Sequence, residues 1–148
     1  MTILLVCVAA HALAAQLLPS PWWVPDLTLI GVVLSVGRAP ERWLVLSGLA
    51  GFCTMLWAVR FPIQTAMGAV ALGAGMRLLT QRWDVTDRRV ASLVVGVASA
   101  ASTLGTLWME QVSWSTALLG LAGARVAVTS LSLPLMQQCF ARQFAPRN

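Results

Sequence analysis

Pro25-Asp26-Leu27-Thr28-Leu29-Ile30-Gly31-Val32-Val33-Leu34-Ser35-Val36-Gly37-Arg38-Ala39-Pro40-Glu41-Arg42 holds eleven residues without a charge, Leu27 to Gly37, between an acid and a basic turn. Pro25 suits a first helical turn, where its missing N–H costs nothing, and Asp26 complements the positive end of a helix dipole. At roughly 1.5 Å per residue the uncharged core covers about 17 Å, against about 30 Å of bilayer hydrocarbon. A helix this short must borrow flanking residues or shelter inside a bundle. Counted from Val24 to Ala39 it reaches about 24 Å, enough to span with tilt-free packing or local thinning of the bilayer.

The rest of the chain puts that helix in a membrane. Of 148 residues, 58 % are hydrophobic and only 10 % charged, and mean hydropathy is +0.78, values far outside those of soluble domains. Six apolar segments follow one another with short connections: about Thr2 to Leu18, Val24 to Ala39, Trp43 to Val59, Pro62 to Leu79, Val90 to Met109, and Ser115 to Phe140. The expectation is an all-α integral membrane bundle of six helices forming one domain over residues 1–148. Pro62 is placed to start the fourth helix, and Pro134 lies inside the last, where it should kink the helix and free a carbonyl.

All ten basic residues are arginine. They are spread over loops without a basic stripe or stacking platform, which argues against nucleic acid as a partner. With the N-terminus inside, Arg38, Arg42, Arg77, Arg82, Arg88, Arg89, Arg142 and Arg147 are cytoplasmic, Arg60 is outside and Arg125 is within a helix, eight against one. This sorting predicts a multi-pass protein with both termini in the cytoplasm, and tryptophans at the segment ends agree with interfacial belts. Ala12-Leu13-Ala14 has the form of a signal-peptidase site, but the residues before it lack Lys and Arg, which favours a first membrane helix ending at Pro19-Ser20-Pro21.

Residues with chemistry are few. Cys7, Cys53 and Cys139 have no metal-ligand or CxxC spacing and read as small hydrophobes. The single histidine, His11, has no carboxylate pair, nucleophile, phosphate loop or HExxH around it, so the reading is a chain that is not an enzyme and holds neither metal nor cofactor. Arg125 stands apart, about ten residues from either end of the last apolar segment. Near a bilayer centre an arginine costs at least roughly 2.5 kcal/mol, so it should face the bundle or a partner. Counting depth places Asp26 and Glu110 near the outer surface, roughly 16 Å above Arg125 and out of reach, with His11 at a more similar level. The alternative is a last helix that starts near Val126, leaving Arg125 snorkelling at the interface. Small residues at four-residue spacing recur, among them Ser47 and Gly51, Ala71 and Gly75, Ala101 and Gly105, and Gly120 and Ala124. They serve internal packing or the docking of a partner helix.

The stretch from Pro25-Asp26 through Arg38-Ala39-Pro40-Glu41-Arg42 to Ser47-Gly48-Leu49-Ala50-Gly51-Phe52 resembles the rod shape-determining MreD family. There a Pro-Asp-initiated short helix, a basic turn and a Gly-Phe-bearing helix occur in that order. Chain length, helix count and the late Pro134 fit. Two features depart: no acid occurs in Met55 to Pro62, and Thr129 stands five residues before Pro134 where the family often has Asn. The resemblance implies a non-enzymatic scaffold of the cell-wall elongation complex in the bacterial cytoplasmic membrane. Its expected partners are a MreC-like single-span protein, with RodA, a penicillin-binding transpeptidase and MreB beyond it. Pro25, Asp26, Arg38, Arg42, Gly51, Phe52, Arg125, Thr129 and Pro134 are the candidate partner or structural residues. The six-helix pattern also looks like the S-component of an energy-coupling-factor vitamin importer, an architecture the two families could share. Such a subunit needs a polar pocket toward the outside, for which few groups stand out in the sequence.

Overall fold

The computed structural model describes residues 1–17, 24–57, 62–84, 87–109, 111 and 115–144. Trp22, Trp23, Arg60, Glu110, Trp114 and Arg147, used above for topology, lie outside the described residues, as do the side chains of Trp57, Arg88 and Arg142. Six helices form: α1 (Thr2–Leu17), α2 (Leu27–Arg38), α3 (Trp43–Trp57), α4 (Pro62–Thr80), α5 (Arg88–Met109) and α6 (Thr116–Phe144), with a 3₁₀ turn at Pro40–Arg42. No strand occurs among the described residues. The all-α expectation holds, and each apolar segment becomes one helix.

α2 is the axis of the molecule. It touches all five other helices, and its residues from Thr28 to Val36 are buried without interruption. A helix apolar all round has no face for solvent, so this sequence suits a central position. The brevity of α2 follows from shelter and not from borrowed length, since the helix begins only at Leu27. Around it, consecutive helices pack as pairs, α1 with α2, α3 with α4, and α5 with α6. The core joins Leu4 and Cys7 of α1, Ile30, Val33 and Val36 of α2, Leu46 and Ala50 of α3, Met76 of α4, Val95 of α5, and Leu133 of α6.

Glycine sets the closest approaches. A Cβ on Gly51 would stand 2.9 Å from the carbonyl oxygen of Ala66, and one on Gly73 would collide with the Ser47 side chain. The small residues of α3 therefore serve its contact with α4, the internal use of the pattern. At the other face of α2, a Cβ on Gly31 would meet the Cβ of Cys7 at 2.7 Å.

At the end of the bundle where α2 stops, the Arg77 guanidinium donates to the Pro40 carbonyl at 2.9 Å, fastening α4 to the turn. Arg38 and Arg42 are exposed there, and the Asp87 carboxylate accepts the Arg89 N–H at 2.8 Å beside the start of α5. α6 continues through Pro134 to Phe144 as one helix. The sides of the bundle expose large apolar groups, including Leu44, Val45 and Phe52 on α3, Ile63 and Met67 on α4, Leu93 and Val97 on α5, and Leu131 and Leu135 on α6. Among the described residues two helices, at Arg89–Met109 and Thr116–Phe140, are long and apolar enough to cross a membrane, while α1 and α2 are apolar but shorter.

Overpacking predicts a contrast within α3. Gly51→Val should lower stability by about 1–3 kcal/mol, because the methyl groups meet the α4 backbone. Gly48→Val, with nothing within 4 Å of its Cβ position, should leave it nearly unchanged. Thermal unfolding of the two purified variants checks this.

Candidate functional site

The start of α2 lies inside protein, and its sequence supplies the groups that a buried helix end requires. The Asp26 carboxylate accepts the Leu29 N–H at 3.1 Å, satisfying one of the donors that have no partner within the helix. The Asp26 N–H in turn donates to Thr129 Oγ1 at 3.1 Å. Thr129 is fully buried, so α6 presents this hydroxyl to α2 away from water. Arg125 lies one helical turn before Thr129, on the same face of α6. Its guanidinium stands 3.9 Å from the second Asp26 carboxylate oxygen, with the two side chains 25 % and 18 % exposed. His11 Nδ1 lies 3.2 Å from the Pro25 carbonyl oxygen; the bond needs the proton on Nδ1, which leaves Nε2 of a neutral ring as an acceptor.

This arrangement corrects the depth count made from the sequence, which kept Asp26 and Arg125 apart. That count gave every helix the same starting plane. His11 lies six residues before the end of α1, so its contact with Pro25 sets the beginning of α2 about 9 Å below the last residue of α1. α6 begins at Thr116, which sinks Arg125 about 14 Å along it. The two offsets bring the charges to one level. The same boundary overturns the alternative in which α6 starts near Val126 and Arg125 reaches an interface.

Beside this cluster is an open cleft of about 680 Å³, a size typical of small-molecule sites, with Gln64, Thr65, Ser102 and Thr106 exposed on its walls. All six helices contribute to it: His11 from α1, Thr28, Leu29 and Val32 from α2 with Asp26 at its cap, Thr54 from α3, Gln64, Thr65 and Leu72 from α4, Ser102, Gly105 and Thr106 from α5, and Arg125 from α6. Thr28 is buried, and its hydroxyl has no hydrogen-bond partner among the described residues. Such a group costs on the order of 1–3 kcal/mol when left unmade. No local pattern in the chain marks this cleft. Ala71, Ala101 and Gly105, read there as packing residues, instead line its wall.

Of the nine candidate residues, Pro25, Asp26, Arg125 and Thr129 converge on this cluster. Gly51 is used internally against α4, Phe52 is exposed on α3, and Pro134 is half-buried next to the fully buried Leu133. Arg38 and Arg42 sit at the opposite end of α2. Sequence reasoning missed Thr28, Thr54, Ser102 and Thr106, each an ordinary helical residue until the fold gathers them, whereas Gln64 is one of the outer-side amides that the sequence offers to a pocket. Among the described residues no three of His, Cys, Asp and Glu assemble as metal ligands, and Cys7, Cys53 and Cys139 are free thiols. No protein-family model, curated protein or solved structure matches this chain.

A double-mutant cycle tests the cluster. Arg125→Met should destabilise the protein more in the presence of Asp26 than in an Asp26→Asn background. The coupling should be about 1 kcal/mol or more, read from denaturant unfolding, because the lone carboxylate is left in protein without its cation.

Proposed function

We propose that this chain is a non-enzymatic membrane scaffold of the bacterial cell-wall elongation complex, which docks a MreC-like single-span protein through α6. The observation that carries the docking face is the outward stripe Gly120, Gly123 and Ala127. All three residues are exposed, and nothing lies within 4 Å of a Cβ placed on either glycine. Unlike Gly51 and Gly73, these residues have no use inside the fold. Between helices in lipid, association depends on close backbone approach, which such a stripe permits. The resemblance of residues 25 to 52 to the MreD family supplies the partner and the process. RodA, the penicillin-binding transpeptidase and MreB follow as indirect partners.

The apolar flanks of the bundle support insertion in the cytoplasmic membrane as six spans. The arginines at the Arg38, Arg42, Arg77 and Arg82 end support an orientation with both termini in the cytoplasm. α2 can be short in that setting because protein, not lipid, surrounds it.

One observation favours a second reading. The cleft gathers polar groups on a mainly apolar wall, and this lends support to an S-component of an energy-coupling-factor importer, against which the scarcity of such groups in the sequence weighed. The two readings separate by partner: a coiled-coil single-span protein for the scaffold, an ATPase module for the importer.

Gly120→Leu combined with Gly123→Leu should abolish co-purification with the single-span partner and rod-shape complementation while leaving expression and thermal stability unchanged. Undiminished co-purification would remove α6 as the docking face. Recovery of an ATPase module with the unaltered chain would replace the scaffold by the importer.

A further inference from the structure

We infer that the cavity at the start of α2 is a binding site for a zwitterionic group of the phosphoethanolamine type, with its anion on Arg125 and its ammonium on Asp26. The inference stands apart from the choice between scaffold and importer. Arg125 is the main reason. A charge-assisted N–H···O bond closes to about 2.7–2.9 Å, whereas the guanidinium stands 3.9 Å from Asp26. Its fork of five donors is therefore not committed to that carboxylate. Asp26 Oδ1 is engaged by the Leu29 N–H, and Oδ2 is the oxygen that faces Arg125. The pair thus offers one cation and one carboxylate oxygen to the same chamber.

Charge balance narrows the class. Arg125 and Asp26 cancel, so a simple anion would leave the chamber net negative and would sit beside a carboxylate. A simple cation would meet the guanidinium. A zwitterion satisfies both groups and adds no net charge, the condition under which ions leave water at least cost. Leu29, Val32 and Leu72 on the walls accommodate an apolar portion. The same net-neutral chemistry is carried by the headgroup of phosphatidylethanolamine and by a soluble phosphodiester such as glycerophosphoethanolamine.

Native mass spectrometry of the detergent-purified full chain tests this, with phosphatidylethanolamine, phosphatidylglycerol and soluble glycerophosphoethanolamine as probes. The unaltered protein should take up one molecule of an ethanolamine-bearing probe. Its affinity should exceed that for phosphatidylglycerol, which lacks the ammonium, by about tenfold or more, equivalent to 1.4 kcal/mol. Arg125→Gln should lose that preference. Gly105→Leu, which fills the cavity from a wall position with open space and leaves the charge pair intact, should lose binding even if Arg125→Gln does not fold. Binding of the lipid alone identifies a membrane headgroup, and binding of the soluble probe identifies a free ligand; either supports the site. Equal binding of phosphatidylethanolamine and phosphatidylglycerol, uptake of none of the probes, or full binding by Gly105→Leu overturns it.

Discussion

A helix of twelve residues whose first turn lies within a bundle brings unpaired N–H groups and the positive end of its dipole into protein. In α2 the rest of the structure is arranged around that end. Asp26 returns its own carboxylate to the Leu29 N–H, Thr129 accepts the Asp26 N–H, Arg125 faces the carboxylate, and His11 meets the Pro25 carbonyl. Two helices, α1 and α6, are tied in this way to the start of α2. These ties add polar contacts to the apolar packing of α1 and α6 against the axis.

The same end creates the cavity. Asp26, Thr28, Leu29 and Val32 form one side of it, and small residues on α4 and α5 form the other. Ala71, Ala101 and Gly105 are wall residues there for the same property that lets Gly51 and Gly73 bring α3 against α4: little occupies the position of the side chain. Whether a small residue makes a contact or a void depends on whether another helix arrives opposite it. Gly120 and Gly123 are the third case, open to the outside of the bundle, where the proposed partner would lie.

The sequence exposed the local layer clearly. Apolar runs broken by Pro-Asp and Arg-rich turns marked six helices to within four residues at each end, and Pro25-Asp26 announced the cap. An uninterrupted apolar run from Leu29 to Leu34 implied burial on every side. Relative depth was hidden, since the offset of one helix start from another is a tertiary quantity with no local signal. The encounter of Asp26 with Arg125 was missed for that reason. The spacing of Arg125 and Thr129, four residues on one helical face, was a usable clue that both address one target. The cavity had no such clue, being assembled from single hydroxyls and amides contributed by separate helices.

The central claim is that α2 starts within the bundle against α6. Cysteine cross-linking in native membranes tests it most directly. In a chain lacking Cys7, Cys53 and Cys139, cysteines replacing Asp26 and Thr129 should form an intramolecular disulfide under mild oxidation. Cysteines replacing Ser47 and Gly73, at the α3–α4 contact, serve as the control pair. Cross-linking at both pairs is the predicted result. Cross-linking of the control pair with none between positions 26 and 129 would place the start of α2 elsewhere and contradict the account.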